Sequence, residues 1–128
     1  MGSVVEANSS NWNQEILKSS MLTTVYFWRE RCPWCLRLNP IFNEIVEEYD
    51  GKVKFAKMNV LESSENQESA TSQGVMGTPT LMFFCQGRPL GQTVSFMPIE
   101  ELEKVLENVL GRYKYCLMQS SDLRNYVV

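Results

Sequence analysis

The sequence of 128 residues contains no histidine. This absence excludes Ser-His-Asp and Cys-His hydrolases, metal sites built on histidine, and acid–base catalysis by an imidazole. Long apolar runs are missing as well, and the longest strongly apolar stretch, Leu81 to Cys85, is far too short to span a bilayer. Any chemistry that the chain performs must therefore depend on thiols, carboxylates, amines or the backbone.

Positive charge is also scarce, because Lys and Arg total 12 against 15 Asp and Glu, for a net charge of −3 at pH 7. Nucleic-acid-binding domains usually carry a basic surface, so no nucleic acid is expected as a partner. The amino-terminal residues include no basic region and no apolar region of signal-peptide length, so no membrane association is expected. We therefore predict a soluble, cytoplasmic protein whose 4 cysteines are redox-active, metal-bound or simply reduced.

The apolar pattern predicts a single α/β domain. In chain order, the predicted elements are a short strand at Val4-Val5, a helix capped by Ser9 or Ser10, a strand at 22–28, a helix from Pro33 to Asp50-Gly51, a strand at 53–58, a helix at 62–72, strands at 80–85 and 90–96 joined by a turn at 86–89, and a helix from Pro98 to Gly111. Parallel β-α-β units come first, and a hairpin with a helix comes last. This order predicts a three-layer α/β/α sandwich around a mixed sheet of about five strands. Residues 1–111 are assigned to this domain and residues 112–128 to a C-terminal tail.

Two cysteines stand where a buried strand gives way to a helix, in the motif Cys32-Pro33-Trp34-Cys35. Pro33 suits the first turn of that helix, where its missing N–H costs nothing. The unpaired N–H groups and the dipole of the helix favour a thiolate at Cys32, and the neighbouring Arg31 acts in the same direction. Cys35 lies one turn further on and is expected to be more buried. The spacing predicts that Cys32 attacks a disulfide and that Cys35 resolves the mixed disulfide.

Structural zinc is the alternative for this motif. Two further ligands would be needed, and Cys85 and Cys116 are the remaining soft ones in a chain without histidine. These two are far apart in sequence and each stands alone, unlike the paired cysteines of zinc ribbons. We therefore favour a redox-active Cys32–Cys35 disulfide with no bound cofactor or metal, and expect Cys85 and Cys116 to be unreactive thiols.

The residues around the motif resemble the thioredoxin superfamily, in particular its thioredoxins. The strand at 25–28, the motif, and Pro40 five residues after the second cysteine resemble the family's strand, active site and kinked helix. The segment Gly74-Val75-Met76-Gly77-Thr78-Pro79-Thr80-Leu81 resembles its second signature, in which the proline is cis and faces the thiols. From the residues alone, Pro79 could equally mark the entrance to a strand. The resemblance runs from about Val4 to about Leu110.

This resemblance implies a thiol–disulfide oxidoreductase that reduces disulfide-containing protein substrates. It further implies a thioredoxin-reductase-like electron donor and a monomeric protein. An apolar substrate-binding rim around Cys32 is implied at Trp34, Met76, Gly77, Thr78, Pro79 and Phe96, although each of these residues could equally serve packing. The backbone groups of Thr78 lack a strand neighbour beside a proline and could pair with an extended substrate.

The motif itself departs from the family pattern. Arg31 replaces the tryptophan before the first cysteine, and Pro33-Trp34 replaces Gly-Pro. A Cys-Pro-aromatic-Cys motif is more typical of glutaredoxins and periplasmic oxidants, so we expect a weaker reductant than ordinary thioredoxin. Glutaredoxin-like or oxidase/isomerase-type exchange is one alternative, and a thioredoxin-fold binding module with little turnover is another.

A second departure lies beneath the active site, where Tyr26 takes the place of the family's buried aspartate. A tyrosine does not accept a proton near neutral pH, so Glu30 and water remain as acceptors for the proton of Cys35. The family's lysine is matched by Lys57, which either favours a thiolate at Cys35 or extends outward to solvent. We expect the mixed disulfide to be resolved more slowly than in the family.

Overall fold

The elements follow the predicted order along the chain. A computed structural model describes the backbone of residues 2–126 and the side chains of residues 2–119. The elements are β1 (Val4–Glu6), a π-helical turn (Asn13–Leu17), β2 (Thr23–Trp28), α1 (Pro33–Glu48), β3 (Lys54–Asn59), α2 (Ser64–Ser72), β4 (Thr80–Cys85), β5 (Arg88–Val94) and α3 (Ile99–Tyr126).

Within the described residues, five strands form one mixed sheet in the order β1-β3-β2-β4-β5. Strands β1 and β2 run parallel to β3, as expected when helical crossovers connect them. Strand β4 runs antiparallel to β2 and pairs with β5 in a hairpin. Strand β2 is the central strand, so the residues that follow it lie midway between the two edge strands. The predicted mixed sheet of an α/β fold is confirmed.

Two apolar clusters, one on each face of the sheet, account for the three layers. Because successive strand residues point to opposite faces, Tyr26 joins one cluster while Val25 and Phe27 join the other. The first cluster includes side chains of α1 and α3, among them Phe42 and Leu106. The second includes the π-helical turn and α2. Both faces of β2 are therefore covered, which explains its uniformly apolar sequence.

The helix expected after Ser9 or Ser10 is wrong in its start. The helical turn begins at Asn13, with Trp12 as an N-cap that makes no side-chain hydrogen bond. The side chain of Asn8 instead accepts hydrogen bonds from the N–H groups of Ser10, at 2.8 Å, and Asn11, at 3.0 Å. This local side-chain-to-backbone pairing satisfies the N–H groups that a serine cap would otherwise serve.

The β4–β5 turn is shorter than predicted. Gln86 and Gly87 have φ angles of 51° and 84°, the conformation of a two-residue hairpin turn with both central residues left-handed. Strand β5 therefore starts at Arg88, two residues before the predicted start at 90, and ends at Val94. Pro89 is accommodated because β5 is an edge strand and the pairing is irregular opposite Phe83 and Phe84.

Helix α3 does not end at Gly111, contrary to the sequence prediction. It continues to Tyr126, through most of the segment that was assigned to a separate tail. The expectation that Cys85 and Cys116 are unreactive thiols is also wrong, because the two are joined in a disulfide. Burial of Cys116 against the domain outweighs the weak helix propensity of one glycine. Met1 and residues 127–128 lie outside the described residues.

Two glycines allow a matched test of this backbone description. A Cβ on Gly111 would meet nothing within 4 Å, whereas a Cβ on Gly87 would lie 3.1 Å from the carbonyl oxygen of Leu17 at a φ of +84°. Gly111→Ala should raise the free energy of unfolding by about 0.5–1 kcal/mol, because it restricts the unfolded chain and favours helix. Gly87→Ala should lower it by about 1–3 kcal/mol. Urea unfolding measures both, and a destabilising Gly111→Ala would contradict a helix that continues through residue 111.

Candidate active site

Cys32 and Cys35 lie at the junction between the central strand and the first helix. Strand β2 ends at Trp28, Cys32 is the N-cap of α1, and Pro33 is the first helical residue. Cys32 has extended backbone angles, which turn the chain from the sheet into the helix. The two cysteines form a disulfide with their Cα atoms 5.1 Å apart, and each is only 2% exposed. Pro33 begins the helix as the sequence predicted, but the expectation that Cys35 is more buried than Cys32 is wrong, because Cys32, as the N-cap, is covered to the same extent.

The sulfur of Cys32 receives two hydrogen bonds. The backbone N–H of Cys35 donates to it at 3.2 Å, and the hydroxyl of Thr78 donates at 3.6 Å. Donors aimed at a sulfur at a helix N-terminus stabilise negative charge there. Arg31, directly before Cys32, has a left-handed φ of 60° and an exposed side chain. Both donors therefore approach the sulfur of Cys32, at the start of the helix.

The loop before β4 brings Thr78 to this sulfur. The Thr78–Pro79 peptide bond is cis, as the resemblance implied, and Pro79 is buried. The carbonyl of Pro79 accepts a hydrogen bond from Ser95 at 2.8 Å, which ties the loop to the residue that follows β5. Among the described residues, the backbone N–H and C=O of Thr78 make no hydrogen bond. They remain available beside Cys32.

Three apolar side chains of the predicted rim belong to, or contact, the segments that carry Cys32 and Thr78. Trp34 is 48% exposed and Met76 is 97% exposed, while Phe96 is half-buried with its ring 6.0 Å from that of Trp34. The guanidinium of Arg37 lies 5.0 Å from the centre of the Trp34 ring and supports its exposed position. Gly77 continues this rim between Met76 and Thr78. An exposed methionine and tryptophan beside a buried disulfide are typical of a docking surface.

The sequence that forms this site matches a known family. The thioredoxin family model matches residues 3–108. Thioredoxin 1 of Nostoc sp. is 33% identical over 110 residues, covering 86% of this chain and 100% of that protein. Thioredoxin of Staphylococcus saprophyticus is 35% identical over 107 residues, covering 84% of this chain and 98% of that protein. The chain belongs to the thioredoxin family. With its Cys32–Cys35 pair, it is a thiol–disulfide oxidoreductase with protein-disulfide reductase activity.

A tyrosine lies beneath the active site. The hydroxyl of Tyr26 lies 3.1 Å from the backbone carbonyl oxygen of Cys35 and 2.7 Å from Oδ1 of Asn39. Both atoms are acceptors, so the hydroxyl proton links Tyr26 on β2 to two positions of α1. Burial raises the pKa of Tyr26 to about 12, so the hydroxyl stays protonated near neutral pH. At the position where the family resemblance implies a carboxylate, Tyr26 instead provides an uncharged hydrogen-bond donor.

Lys57 does not extend into solvent but lies against aromatic rings. Its Nζ is 4.9 Å from the centre of the Trp28 ring and 5.8 Å from that of Tyr26. No ion pair of Lys57 occurs in the part of the chain that the structure describes. Glu30 is exposed, and its described contact is through its backbone carbonyl, which accepts from Arg29 at 3.4 Å. The structure therefore groups Lys57 with Tyr26 and leaves Glu30 at the surface.

Two features of the site were not predicted from the sequence. Asn39 was overlooked, although a polar residue four positions after Cys35 must lie on the same face of α1. A cavity of about 210 Å³ beside the Met76–Thr78 loop was also missed. Its lining residues are Arg29, Val60, Leu61, Gln67, Ala70, Thr71, Val75, Met76, Gly77 and Thr78. The cavity depends on how α2 packs beside β3, which sequence spacing does not reveal.

Removal of the Tyr26 hydroxyl should change how stability depends on pH. An unfolded tyrosine ionises near its ordinary pKa of 10.0, but folded Tyr26 keeps its proton to about pH 12. Between these two pH values the folded state binds more protons than the unfolded state. The contribution of Tyr26 to the free energy of unfolding is therefore complete below pH 10 and is lost as the pH rises toward 12. Tyr26→Phe should flatten that decline and, at pH 7, cost about 1 kcal/mol from the lost hydrogen bonds.

Urea unfolding between pH 7 and pH 11.5 measures both effects. Tyr115→Phe, which alters an exposed tyrosine of α3, is the matched control. An unchanged pH dependence in Tyr26→Phe would show that the Tyr26 hydroxyl is not held by the folded state.

Proposed function

We propose that this thioredoxin reduces disulfides in other proteins by dithiol exchange, with Cys32 as the attacking and Cys35 as the resolving cysteine. The thiolate of Cys32 attacks one sulfur of the substrate disulfide and expels the other as a thiol. Cys35 then attacks the mixed disulfide, forms the Cys32–Cys35 bond and releases the second substrate thiol. Two electrons and two protons pass to the substrate. The observation that carries this proposal is the pair of hydrogen bonds to the sulfur of Cys32.

The different surroundings of the two sulfurs support this division of roles. Cys32 caps α1 and accepts two hydrogen bonds, which favour its thiolate as the nucleophile. Cys35 lies inside the first turn, with its backbone tied to Tyr26. The ammonium of Lys57, packed on the other side of Tyr26, would favour the thiolate that Cys35 needs for its attack. With Tyr26 protonated and Glu30 exposed, water is left to accept the proton of Cys35, which supports a slow resolving step.

The rim would bind the substrate beside Cys32. Trp34, Met76 and Phe96 provide apolar contacts, and the backbone of Thr78 offers a donor and an acceptor to an extended chain. Gly77 has no side chain to obstruct the approach to Thr78, and Pro79 fixes the loop in place. This arrangement suits a segment of protein better than a small thiol, because it combines a strand-like edge with a wide apolar surface.

The cellular setting is proposed on the same basis. A thioredoxin-reductase-like donor would return the Cys32–Cys35 disulfide to the dithiol form, and the protein would act as a monomer in the cytoplasm. In the described residues, no helix is long and apolar enough to cross a membrane. The same residues contain no group of three or more His, Cys, Asp or Glu side chains that could hold a metal ion. The redox-active disulfide itself would serve as the cofactor.

The motif between the cysteines supports a higher redox potential than that of ordinary thioredoxin. Pro33-Trp34 resembles the motifs of glutaredoxins and periplasmic oxidants, whose couples lie at about −230 to −120 mV, against about −270 mV for thioredoxin. Stabilisation of the Cys32 thiolate favours the reduced form and thus raises the potential. Pro33-Trp34 also favours glutaredoxin-like exchange as the second candidate function, in which glutathione would replace the reductase as the electron donor.

The assignment of the two cysteines can be tested by trapping. Cys35→Ser should form a stable mixed disulfide with a purified disulfide-containing protein, because the resolving thiol is absent. Cys32→Ser, the matched control, should trap at least tenfold less, because the remaining Cys35 lies inside the first turn of α1 and its sulfur lacks the two hydrogen bonds that Cys32 accepts. Non-reducing electrophoresis and peptide mapping measure both products. Equal trapping by the two variants, or trapping through Cys35, would contradict the assignment.

A further inference from the structure

A second disulfide joins two cysteines outside the active site. Cys85 is the last residue of β4 and is fully buried, and Cys116 lies in α3, 9% exposed. Their Cα atoms are 6.8 Å apart, and the two residues are 31 positions apart along the chain. Cys116 lies beyond residues 3–108, which match the family model. The bond therefore ties a segment that the family model does not cover to the end of an inner strand.

The segment of α3 at 111–126, which we name the α3 extension, has three other described attachments: the ring of Tyr113 packs against the first apolar cluster, and two side chains form hydrogen bonds to backbone carbonyls. The hydroxyl of Tyr113 donates to the carbonyl of Ser20 at 2.8 Å, and the guanidinium of Arg112 donates to the carbonyl of Leu90 at 3.1 Å. Both hydrogen bonds are exposed to solvent, where water competes for the same groups. Among these described contacts, the disulfide is the covalent link between the extension and the sheet.

The two disulfides differ in what reduction requires. Cys32 and Cys35 share the first turn of α1, so they can stay in place as thiols, and the Cys32 sulfur gains a stabilised charge from two donors. No hydrogen bond to the sulfur of Cys85 or Cys116 occurs among the described residues. Reduction of Cys85–Cys116 gives two buried thiols that no described hydrogen bond stabilises. It also removes the covalent link that closes the chain between residues 85 and 116. The Cys32–Cys35 disulfide should therefore accept electrons first.

We propose that Cys85–Cys116 is a second redox site, which a dithiol reductant opens only after Cys32–Cys35 and whose reduction releases the α3 extension from the sheet. One thiolate of the reductant attacks a sulfur of the pair and forms a mixed disulfide. The second thiol of the reductant then closes its own disulfide and leaves Cys85 and Cys116 as two thiols. Two electrons and two protons pass to the protein, and the reductant is oxidised. Catalytic turnover at Cys32 leaves this second bond intact.

A titration with dithiothreitol, followed by alkylation and mass spectrometry, tests the order of reduction. The expected result is a species with two alkylated cysteines, mapped to Cys32 and Cys35, before a species with four. The Cys32→Ser/Cys35→Ser variant should open Cys85–Cys116 at the same reductant concentration as the wild type, which separates this proposal from the function of the active site. Simultaneous appearance of four thiols, or earlier alkylation of Cys85 and Cys116, overturns the proposal.

Limited proteolysis tests the release of the extension. Trypsin cleaves after Arg112 and Lys114, both of which have exposed side chains. Cleavage there should be at least about tenfold faster in the four-thiol form than in the two-thiol form, because the tether no longer limits local opening. Cys85→Ser/Cys116→Ser should be cleaved as fast as the four-thiol form. Met118→Ser, an exposed change in the same helix, should behave as the oxidised wild type. Equal cleavage of the two-thiol and four-thiol forms overturns the release.

Discussion

The hydrogen bonds that the sulfur of Cys32 accepts from Cys35 and Thr78 are the interaction on which the active site depends. The rest of the fold brings these donors together. Strand β2 is the central strand and is covered on both faces. Helix α1 begins shortly after this strand ends, with Cys32 as its N-cap. The loop that ends in Pro79 supplies the second donor from the neighbouring strand. A helix start and a loop thus supply both hydrogen bonds to this sulfur, with no histidine in the chain.

Tyr26 supports this site from below. It connects the buried face of β2 with Cys35 and Asn39 on α1 through a hydroxyl that is protonated near neutral pH, and burial raises its pKa further. The charge of Lys57 lies on the rings of Tyr26 and Trp28. The hydrogen bonds that hold the strand and the helix together therefore come from a hydroxyl that does not ionise near neutral pH.

Local signals in the sequence were sufficient for the active-site motif. Pro33 marked the helix start, and the apolar run of β2 marked a covered strand, so the positions of Cys32 and Cys35 followed from neighbouring residues. Contacts between residues that are distant in sequence could not be predicted from such local signals. The Cys85–Cys116 bond depends on how α3 packs across the hairpin, and Asn39 gains its role only from a tyrosine on another element. The predicted helix end at Gly111 is wrong because the low helix propensity of one glycine is outweighed by tertiary contacts, which the local sequence does not show.

The reduction potential of Cys32–Cys35 reports directly on whether the two hydrogen bonds stabilise the Cys32 thiolate. Hydrogen bonds that stabilise the Cys32 thiolate favour the dithiol over the disulfide and so raise the potential. Equilibration with glutathione buffers, with the Cys85→Ser/Cys116→Ser variant measured in parallel to isolate the active-site couple, provides the value. The account predicts a potential above the roughly −270 mV of ordinary thioredoxin, in the range of about −230 to −120 mV. A potential at or below about −270 mV would contradict it.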